Sequence, residues 1–271
     1  MDIKVGDDID LRKIAYSGQC FRWRELSDGS FLIVAFGTYV IASQHDDVIK
    51  LESKYNIDGQ LWIEYFDLNR NYREIVDGID HEDSFLYNAG QYGRGVRILK
   101  QDAFETLISF IISQRKSIPA IKTSIEKICS SFGRDLGVVE GEKVYAFPTP
   151  QELYLAPMDK LEECSLGYRL PYVMQAARHI YQEPDLLDKL NDMSDEDLKE
   201  TLLSFYGVGD KVASCTMLFG FGRLNTFPID VWIRRALEQK YRSGFPFERY
   251  KPYNGIMQQY IFEYYRGKHN P

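Results

Sequence analysis

The sequence predicts an α+β protein that is mostly helical, with an N-terminal antiparallel β-sheet domain followed by a helical region. Short β-branched and aromatic runs lie between turns over Phe21–Gln44, and such runs are typical of antiparallel strands. From Asp102 onward, apolar residues recur instead at the spacing of amphipathic helices. We therefore expect an N-terminal α+β domain over residues 1–100 and a helical region over residues 101–271.

The N-terminal elements follow from local patterns. Two runs, FRWREL and FLIVAF, flank the turn Ser27–Ser30, and Gly37-Thr38 turns the chain into a third run, YVIASQ. Short helices are expected at Asp46–Tyr55 and Tyr72–Gly78. The glycine-rich segment Tyr87–Gly95 is expected to form a loop.

The helical region opens with AFETLISFIIS, whose apolar face predicts a buried core helix. Val138–Phe147 is compatible with a short strand or a loop. Further helices are expected, in chain order, at Ile118–Phe132, from Pro148 to Leu153, at Met158–Cys164, at Pro171–Tyr181 and at Tyr253–Arg266.

A helix, a tight glycine turn and a second helix are predicted over residues 195–221. Gly207, Val208 and Gly209 form the turn, where two glycines let the backbone bend sharply, and Asp210 is expected to cap the next helix. Free N–H groups at a helix start bind anions, and DNA presents a row of phosphodiesters. This unit therefore predicts contact with a nucleic-acid backbone that is independent of base sequence.

Lys211 and Asp230 could supply chemistry beside that backbone. The loop 222–230 contains Pro228 and ends at Asp230, which is expected to cap a helix over Val231–Tyr241. A lysine amine can attack a sugar carbon, and a carboxylate can stabilise the positive charge that develops on the sugar ring. Taken alone, such a lysine is more often a solvated surface residue, and such an aspartate more often only a helix cap.

The charge of the chain is unfavourable for a DNA-binding protein, since the net charge is −7. Its distribution matters more than its sum. Between Phe205 and Lys251, eight Lys and Arg residues stand against four acidic residues. We therefore expect a local basic face and strongly salt-sensitive binding.

The composition excludes several other classes. The chain contains no long uncharged apolar run, which predicts no membrane span, and its acidic, polar start is not a signal peptide. The four cysteines are far apart, in no zinc, iron–sulfur or disulfide spacing. We expect reduced thiols in a cytoplasmic protein that has no metal site and no cofactor. Whether the turn carbonyls hold a monovalent cation stays open.

Together these residues resemble the helix-hairpin-helix Gly/Pro-Asp (HhH-GPD) superfamily of DNA glycosylases. Gly207-Val208-Gly209-x-Lys211 with Pro228-x-Asp230 carries the resemblance, and the lysine marks the bifunctional members. Further matches, spread over nearly the whole chain, resemble the 8-oxoguanine DNA glycosylase/AP lyases: SGQxFRWR from Ser17, GVRILKQD from Gly95, SFI from Ser109, LGYR from Leu166, KVAxC from Lys211 and PYxG from Pro252.

The resemblance implies excision of 8-oxoguanine from duplex DNA in base excision repair, by a monomer. It implies that the Lys211 amine attacks C1′ of a flipped nucleotide, expels the base and forms a Schiff base, after which β-elimination cuts the strand. Asp230 would stabilise the charge on the sugar.

The resemblance also implies a base pocket. A backbone carbonyl at Gly18 would accept the N7 hydrogen that 8-oxoguanine carries and guanine lacks. Gln258 and Phe262, four residues apart on one helix face, would bond the pairing edge and stack on the ring. Cys215 would lie against the same base. Without the resemblance, these are a turn glycine, a surface glutamine and two core residues.

Other positions concern the DNA around the base. Tyr168 and Arg169 would wedge the duplex and contact the orphaned base. Arg115 stands where familiar members have an asparagine that fills the vacated stack, and Ala120 where they have a second cytosine-reading arginine. These departures predict a relaxed preference for the base opposite the lesion.

The phosphate contact after the Gly/Pro-Asp loop also departs from the family. Trp232 replaces a phosphate-contacting histidine, and Tyr265 replaces an acid near it, so the two changes are expected to belong together.

Two alternatives remain. One is a glycosylase of this superfamily for another damaged base. The other is a non-catalytic DNA-binding module, which would need no lysine–aspartate pair.

Overall fold

The N-terminal part folds around a five-stranded antiparallel sheet, in a computed structural model that describes residues 1–269. The strand order is β1-β5-β4-β3-β2, and the predicted turns join β2 to β3 and β3 to β4. β1 was not predicted, and it pairs with β5 at one edge. The strands are β1 (Asp2–Lys4), β2 (Trp23–Glu25), β3 (Phe31–Ala35), β4 (Thr38–His45) and β5 (Val48–Glu52).

The helix predicted over Asp46–Tyr55 is wrong, because this segment contains strand β5. Asp46 has a φ of 51° and turns the chain directly back onto β4. After the turn, Ile49 and Leu51 are buried while Lys50 and Glu52 are exposed. This alternation has the period of a strand, and it places two apolar side chains in the core.

Both faces of the sheet are covered. Helices α1 (Leu11–Tyr16) and α2 (Gly59–Tyr65) pack on one face, in a core with Ile33, Val40 and Leu51. The other face packs against a β-hairpin, β6 (Asp135–Val139) and β7 (Glu142–Tyr145), that belongs to the second half of the chain. The short strand allowed at Val138–Phe147 is therefore present, and all five residues of β3 are buried.

The rest of the chain is a helical body around one large core. The predicted helices are present to within a few residues, and α10 was not predicted. Within the described residues, none of the helices is both long and apolar enough to cross a membrane. The helices are α3 (Tyr72–Asp77), α4 (Ser84–Gly93), α5 (Ala103–Ser113), α6 (Ile118–Phe132), α7 (Pro150–Tyr154), α8 (Met158–Glu163), α9 (Leu170–Gln182), α10 (Leu186–Asp192), α11 (Asp195–Ser204), α12 (Asp210–Phe219), α13 (Val231–Lys240) and α14 (Asn254–His269).

The loop predicted at Tyr87–Gly95 is also wrong, since most of it lies in α4. Two of its glycines, Gly90 and Gly93, serve close packing within the helix, whereas Gly95, with a φ of 91°, follows it. A Cβ on Gly90 would lie 2.5 Å from a side-chain carbon of Ile79, and one on Gly93 would lie 2.4 Å from the ring of Tyr260 in α14. The absence of side chains lets α4 approach α14 closely, which positions the last helix of the chain.

Candidate active site

An open cleft of about 850 Å³ lies where the ends of several helices meet. The start of α12 supplies Lys211, and the start of α13 supplies Asp230. Gly18 reaches the cleft from the N-terminal part, and Phe262 reaches it from α14. Four residues predicted from distant parts of the sequence therefore line one cleft. Arg115 and Trp232 also line it.

The Lys211 side chain reaches from α12 across to α5. Its Nζ donates a hydrogen bond to Ser113 Oγ at 3.3 Å and lies 4.6 Å from the centroid of the Phe110 ring. None of the ion pairs within residues 1–269 includes Lys211. The amine is therefore held by a hydroxyl and an aromatic face, and no carboxylate blocks it.

Asp230 caps α13, as predicted. Its Oδ1 accepts a hydrogen bond from the Ile233 backbone N–H at 2.8 Å, which fixes the carboxylate at the positive end of the helix. Its Oδ2 makes no hydrogen bond in the described part of the chain, and the residue lines the cleft. One oxygen thus holds the helix, and the other is available to a bound molecule.

Cys215 lies one helical turn after Lys211 and is buried. Burial raises the pKa of its thiol, while the nearby Lys211 ammonium lowers it and the Asp230 carboxylate raises it. Lys211, Cys215 and Asp230 therefore act on one another electrostatically, with the thiol protonated.

The Gly18 turn is held rigidly against α14. Gly18 has a φ of 77°, and a Cβ there would lie 3.4 Å from Cε1 of Phe262. Gln259 Nε2 donates to the Ser17 carbonyl at 2.8 Å, and Gln19 accepts the Leu99 N–H at 2.8 Å. Bonds on both sides therefore fix the position of Gly18 beside the Phe262 ring.

Gln258 lies one helical turn before Phe262 on α14 and does not itself line the cleft. The residue is 5% exposed, and its Oε1 has no hydrogen-bond partner within the described chain. A buried amide oxygen without a partner is costly, so its presence beside a ligand cleft is consistent with a group that a ligand satisfies.

The glycine turn between α11 and α12 has the predicted form. Gly207 has a φ of 80°, and a Cβ there would lie 2.3 Å from the Tyr172 ring, so only glycine fits. Val208 is buried, and Gly209 is the N-cap of α12, where no side chain accepts from the first turn.

The capping role predicted for Asp210 is therefore wrong. Asp210 is the first residue inside the helix, and its side chain pairs with Lys199 at 3.0 Å. Because no side chain occupies the cap, the first N–H groups of α12 remain available to an external anion.

Tyr168 and Arg169 lie next to this turn but differ in exposure. Tyr168 is 50% exposed, whereas Arg169 is 6% exposed. The Arg169 guanidinium donates to the Gln114 carbonyl from Nε (2.8 Å) and from a terminal nitrogen, and to the Leu166 carbonyl at 3.2 Å. It also lies 4.3 Å from the Tyr168 ring centroid. The arginine that was expected to read an orphaned base is thus occupied by main-chain carbonyls.

Arg115 presents the opposite case. It is exposed, has a φ of 53°, lines the cleft and makes no hydrogen bond or ion pair with residues 1–269. Its neighbour Gln114 donates from Nε2 to the Gly207 carbonyl at 3.1 Å. The Arg115 guanidinium is therefore free at the mouth of the cleft.

The rings of Trp232 and Tyr265 contact each other, with centroids 6.5 Å apart at an interplanar angle of 63°. The expectation that the two departures belong together therefore has a structural basis. Arg235 lies over the Trp232 ring at 5.6 Å.

Several residues of the site were not predicted from the sequence. Phe110, Ser113 and Gln114 could not be selected, because nothing local distinguishes the end of a core helix that faces a cleft. Arg234 and Arg266 also line the cleft, and each lies four residues after a predicted site residue, Asp230 or Phe262. The four-residue spacing of a helix face was a pattern that could have identified both.

Both halves of the chain match known protein families. Residues 3–107 match the family described as 8-oxoguanine DNA glycosylase, N-terminal domain. Residues 108–244 match the HhH-GPD superfamily base excision DNA repair proteins. A probable N-glycosylase/DNA lyase of Methanothermobacter thermautotrophicus is 32% identical over 267 residues, with 88% of this chain and 84% of that protein covered.

Two solved structures are similar along nearly the whole chain. MBOgg1 in complex with a low-affinity DNA ligand has a TM-score of 0.92 and 35% identity, covering 99% of this chain and 96% of that chain. The Clostridium acetobutylicum 8-oxoguanine glycosylase/lyase, in complex with duplex DNA that has cytosine opposite 8-oxoguanine, has a TM-score of 0.88 and 33% identity. That match covers 99% of this chain and 98% of that chain.

Proposed function

This chain belongs to the 8-oxoguanine DNA glycosylase/AP lyase family of the HhH-GPD superfamily, and on that premise we propose that it excises 8-oxoguanine from duplex DNA and then cuts the strand. The observation that carries the proposal is the meeting of Lys211 and Asp230 in one cleft with Gly18 and Phe262. The test is a nicking assay on duplexes with and without 8-oxoguanine, and cutting of neither would refute it.

Lys211 is the nucleophile in this proposal. Its Nζ attacks C1′ of the damaged nucleotide, and the C1′–N9 bond breaks with its electron pair leaving on the base, which takes up a proton. The sugar ring then opens to an imine, and loss of a C2′ proton expels the 3′ phosphate. Support comes from the geometry of the amine, which is held by Ser113 and Phe110 without a competing carboxylate.

Asp230 stabilises the positive charge that develops on the sugar as the base leaves. Support comes from its cap, since one oxygen is fixed by Ile233 and the other has no partner in the described residues. A carboxylate that is already oriented needs no reorganisation when charge appears, so its stabilising effect falls mainly on the transition state.

The base pocket comprises Gly18, Phe262, Gln258 and Cys215. The Gly18 carbonyl accepts the N7 hydrogen of 8-oxoguanine, whereas guanine presents a lone pair there and is repelled. Phe262 stacks on the ring, and Gln258 provides its unpaired Oε1 to the pairing edge. A dry acceptor left unpaired costs about 1–3 kcal/mol, which corresponds to roughly a 5- to 150-fold preference.

The DNA backbone is bound by Gly207, Val208 and Gly209 through the free N–H groups at the start of α12. The guanidiniums of Arg115 and Arg234 lie along the same cleft with the ring of Trp232, and neither has a hydrogen-bond or ion-pair partner among residues 1–269. We also propose a monomer, because one chain supplies every group of the site, and a reducing cytoplasm, because all four cysteines are free and buried.

A substitution at Gly18 tests the pocket. Gly18→Ala would place a methyl group 3.4 Å from Phe262 and a strained φ on alanine, so we expect the free energy of unfolding to fall by about 1–2 kcal/mol. Excision should fall about 10- to 100-fold more than cleavage of a preformed abasic site, because only the former needs the pocket. Single-turnover gel assays and thermal unfolding measure both.

The matched control is Gly29→Ala, in the β2–β3 turn. Gly29 has a φ of 84° but open space around its Cβ position, so the backbone strain is similar and the cleft is untouched. It should lose comparable stability and keep excision. Equal excision by both variants would contradict the pocket assignment.

The opposite base provides a further prediction. Since Arg169 is occupied by main-chain carbonyls and Ala120 cannot donate, we expect excision rates opposite C, A, G and T to agree within about tenfold. Single-turnover rates on four duplexes measure this, and a steep preference for cytosine would refute it. Ala120→Arg, at an exposed position, should restore a preference for cytosine.

A further inference from the structure

Arg266 connects the two walls of the base pocket. It follows Phe262 by one helical turn on α14, and its guanidinium carbon lies 4.9 Å from the centroid of the Phe262 ring. Its Nη2 donates to the carbonyl of Tyr16, two residues before Gly18, at 2.7 Å. The Arg266 side chain therefore contacts the Phe262 ring directly and is linked to the Gly18 turn through the Tyr16 carbonyl.

One edge of the guanidinium is fixed, and the other is free. Nη2 is occupied by Tyr16 and by Glu263 at 3.1 Å, whereas Nη1 and Nε have no hydrogen-bond partner in the range 1–269. Nη1 lies 3.6 Å from the position where a Cβ on Gly18 would be, and Arg266 lines the cleft. A charged donor is thus available next to Gly18, the residue whose carbonyl is assigned to N7.

We propose that Arg266 is a specificity-determining residue, whose Nη1 donates a hydrogen bond to an exocyclic oxygen next to N7 of the flipped purine. This inference rests on the proposed function. In 8-oxoguanine, O6 and O8 lie on either side of N7, so when the Gly18 carbonyl binds N7–H, a donor next to Gly18 is close to one of these oxygens. Hydrogen bonds from charged donors are stronger than neutral ones.

Glu263 orients the guanidinium without fully neutralising it. Burial raises the pKa of the Glu263 carboxyl, and Arg266 and Lys13 lower it by less, so that the resulting pKa is about 7. Near neutral pH this carboxyl is therefore only partly ionised. Arg266 keeps net positive charge for a ligand, and its cation–π contact keeps the Phe262 ring in place.

The test compares wild type with Arg266→Met on two substrates, duplex DNA with 8-oxoguanine and the same duplex with a preformed abasic site. Methionine keeps the apolar bulk over Phe262 and removes charge and donors. We expect single-turnover excision to fall about 10- to 100-fold. Abasic-site cleavage should stay within about twofold, because that substrate has no base to contact.

Two further variants complete the design. Lys268→Met removes one positive charge from the same helix, where Lys268 bonds Tyr264 outside the cleft, and should leave both activities unchanged. Arg266→Lys keeps a cation and should give an intermediate excision rate. If thermal unfolding shows that Arg266→Met does not fold, Arg266→Lys replaces it in the comparison of the two substrates.

A duplex with 8-oxoadenine identifies the oxygen, because an amino group replaces O6 there while O8 and N7–H remain. If Nη1 bonds O8, Arg266→Met lowers excision of both bases. If Nη1 bonds O6, wild type already processes 8-oxoadenine poorly and the substitution leaves that rate unchanged. Equal excision of 8-oxoguanine by wild type and Arg266→Met, or a parallel loss on the abasic site, would overturn the proposal. Failure of wild type to excise 8-oxoguanine would instead refute the proposed function.

Discussion

Replacing Lys211 with glutamine is expected to abolish excision and strand cutting together, by at least about 10⁴-fold, because the substitution removes the nitrogen that we propose attacks C1′. The fold should persist, since the change removes one hydrogen bond to Ser113 from a half-buried side chain. Borohydride reduction during turnover provides the direct measurement, because it converts the imine into a stable protein–DNA conjugate. Wild type should form this conjugate, and Lys211→Gln should not.

Lys116 offers a matched control, because it is a second lysine that lines the cleft. Its Nζ is occupied by Ser124 Oγ and the Ser165 carbonyl, at 2.5 and 2.6 Å. Burial and the nearby Arg169 and Lys127 lower its pKa, which favours the neutral amine, so Lys116 is the alternative candidate for the nucleophile. Lys116→Gln should still form the conjugate. If Lys211→Gln still forms the conjugate and Lys116→Gln does not, the nucleophile is Lys116 and not Lys211.

Replacing Asp230 with asparagine is expected to lower single-turnover excision by about 10³-fold with little change in stability. Asparagine caps helices as well as aspartate, so the bond to the Ile233 N–H can be kept while the negative charge is lost. A preoriented charge next to a developing cation contributes several kcal/mol to the transition state. Rates measured with and without the charge therefore separate the catalytic role of Asp230 from its structural role.

Asp230→Ala extends this comparison, because it loses the cap as well as the charge. Its free energy of unfolding should be about 0.5–2 kcal/mol lower than that of Asp230→Asn, while both variants should excise equally slowly. Thermal unfolding and single-turnover kinetics on the same preparations measure the two effects. An Asp230→Asn rate within threefold of wild type would show that the residue is only a cap.

The parts of the site that the sequence predicted are those in which local chemistry restricts the residue type. Gly207 must be glycine because of its φ and the Tyr172 ring, and Asp230 is placed by its own cap. Gly18 and Phe262 came from a resemblance, and no local pattern would have brought them to one cleft. Ser113 and Phe110 were missed because tertiary packing alone brings the end of α5 to Lys211.

The errors in the fold have similar causes. A glycine-rich composition predicts a loop, but in α4 the lack of side chains at Gly90 and Gly93 leaves room for Ile79 and Tyr260. The edge strand β1 has only three paired residues. Its partner β5 is distant in the sequence, so no local propensity predicts their pairing. The turn before α12 was predicted correctly, but the helix begins one residue earlier than expected. Gly209 therefore occupies the N-cap position, and Asp210 is the first residue of the helix.

Gln114 lies where three parts of the site meet. Its Nε2 donates to the Gly207 carbonyl, its own carbonyl accepts from Arg169, and Ser113 before it accepts from the Lys211 amine. The spacing between the glycine turn, the Tyr168–Arg169 pair and the Lys211 nitrogen is therefore set at the end of one helix, α5. If these groups contact DNA as proposed, the distances between their contacts are fixed before DNA binds.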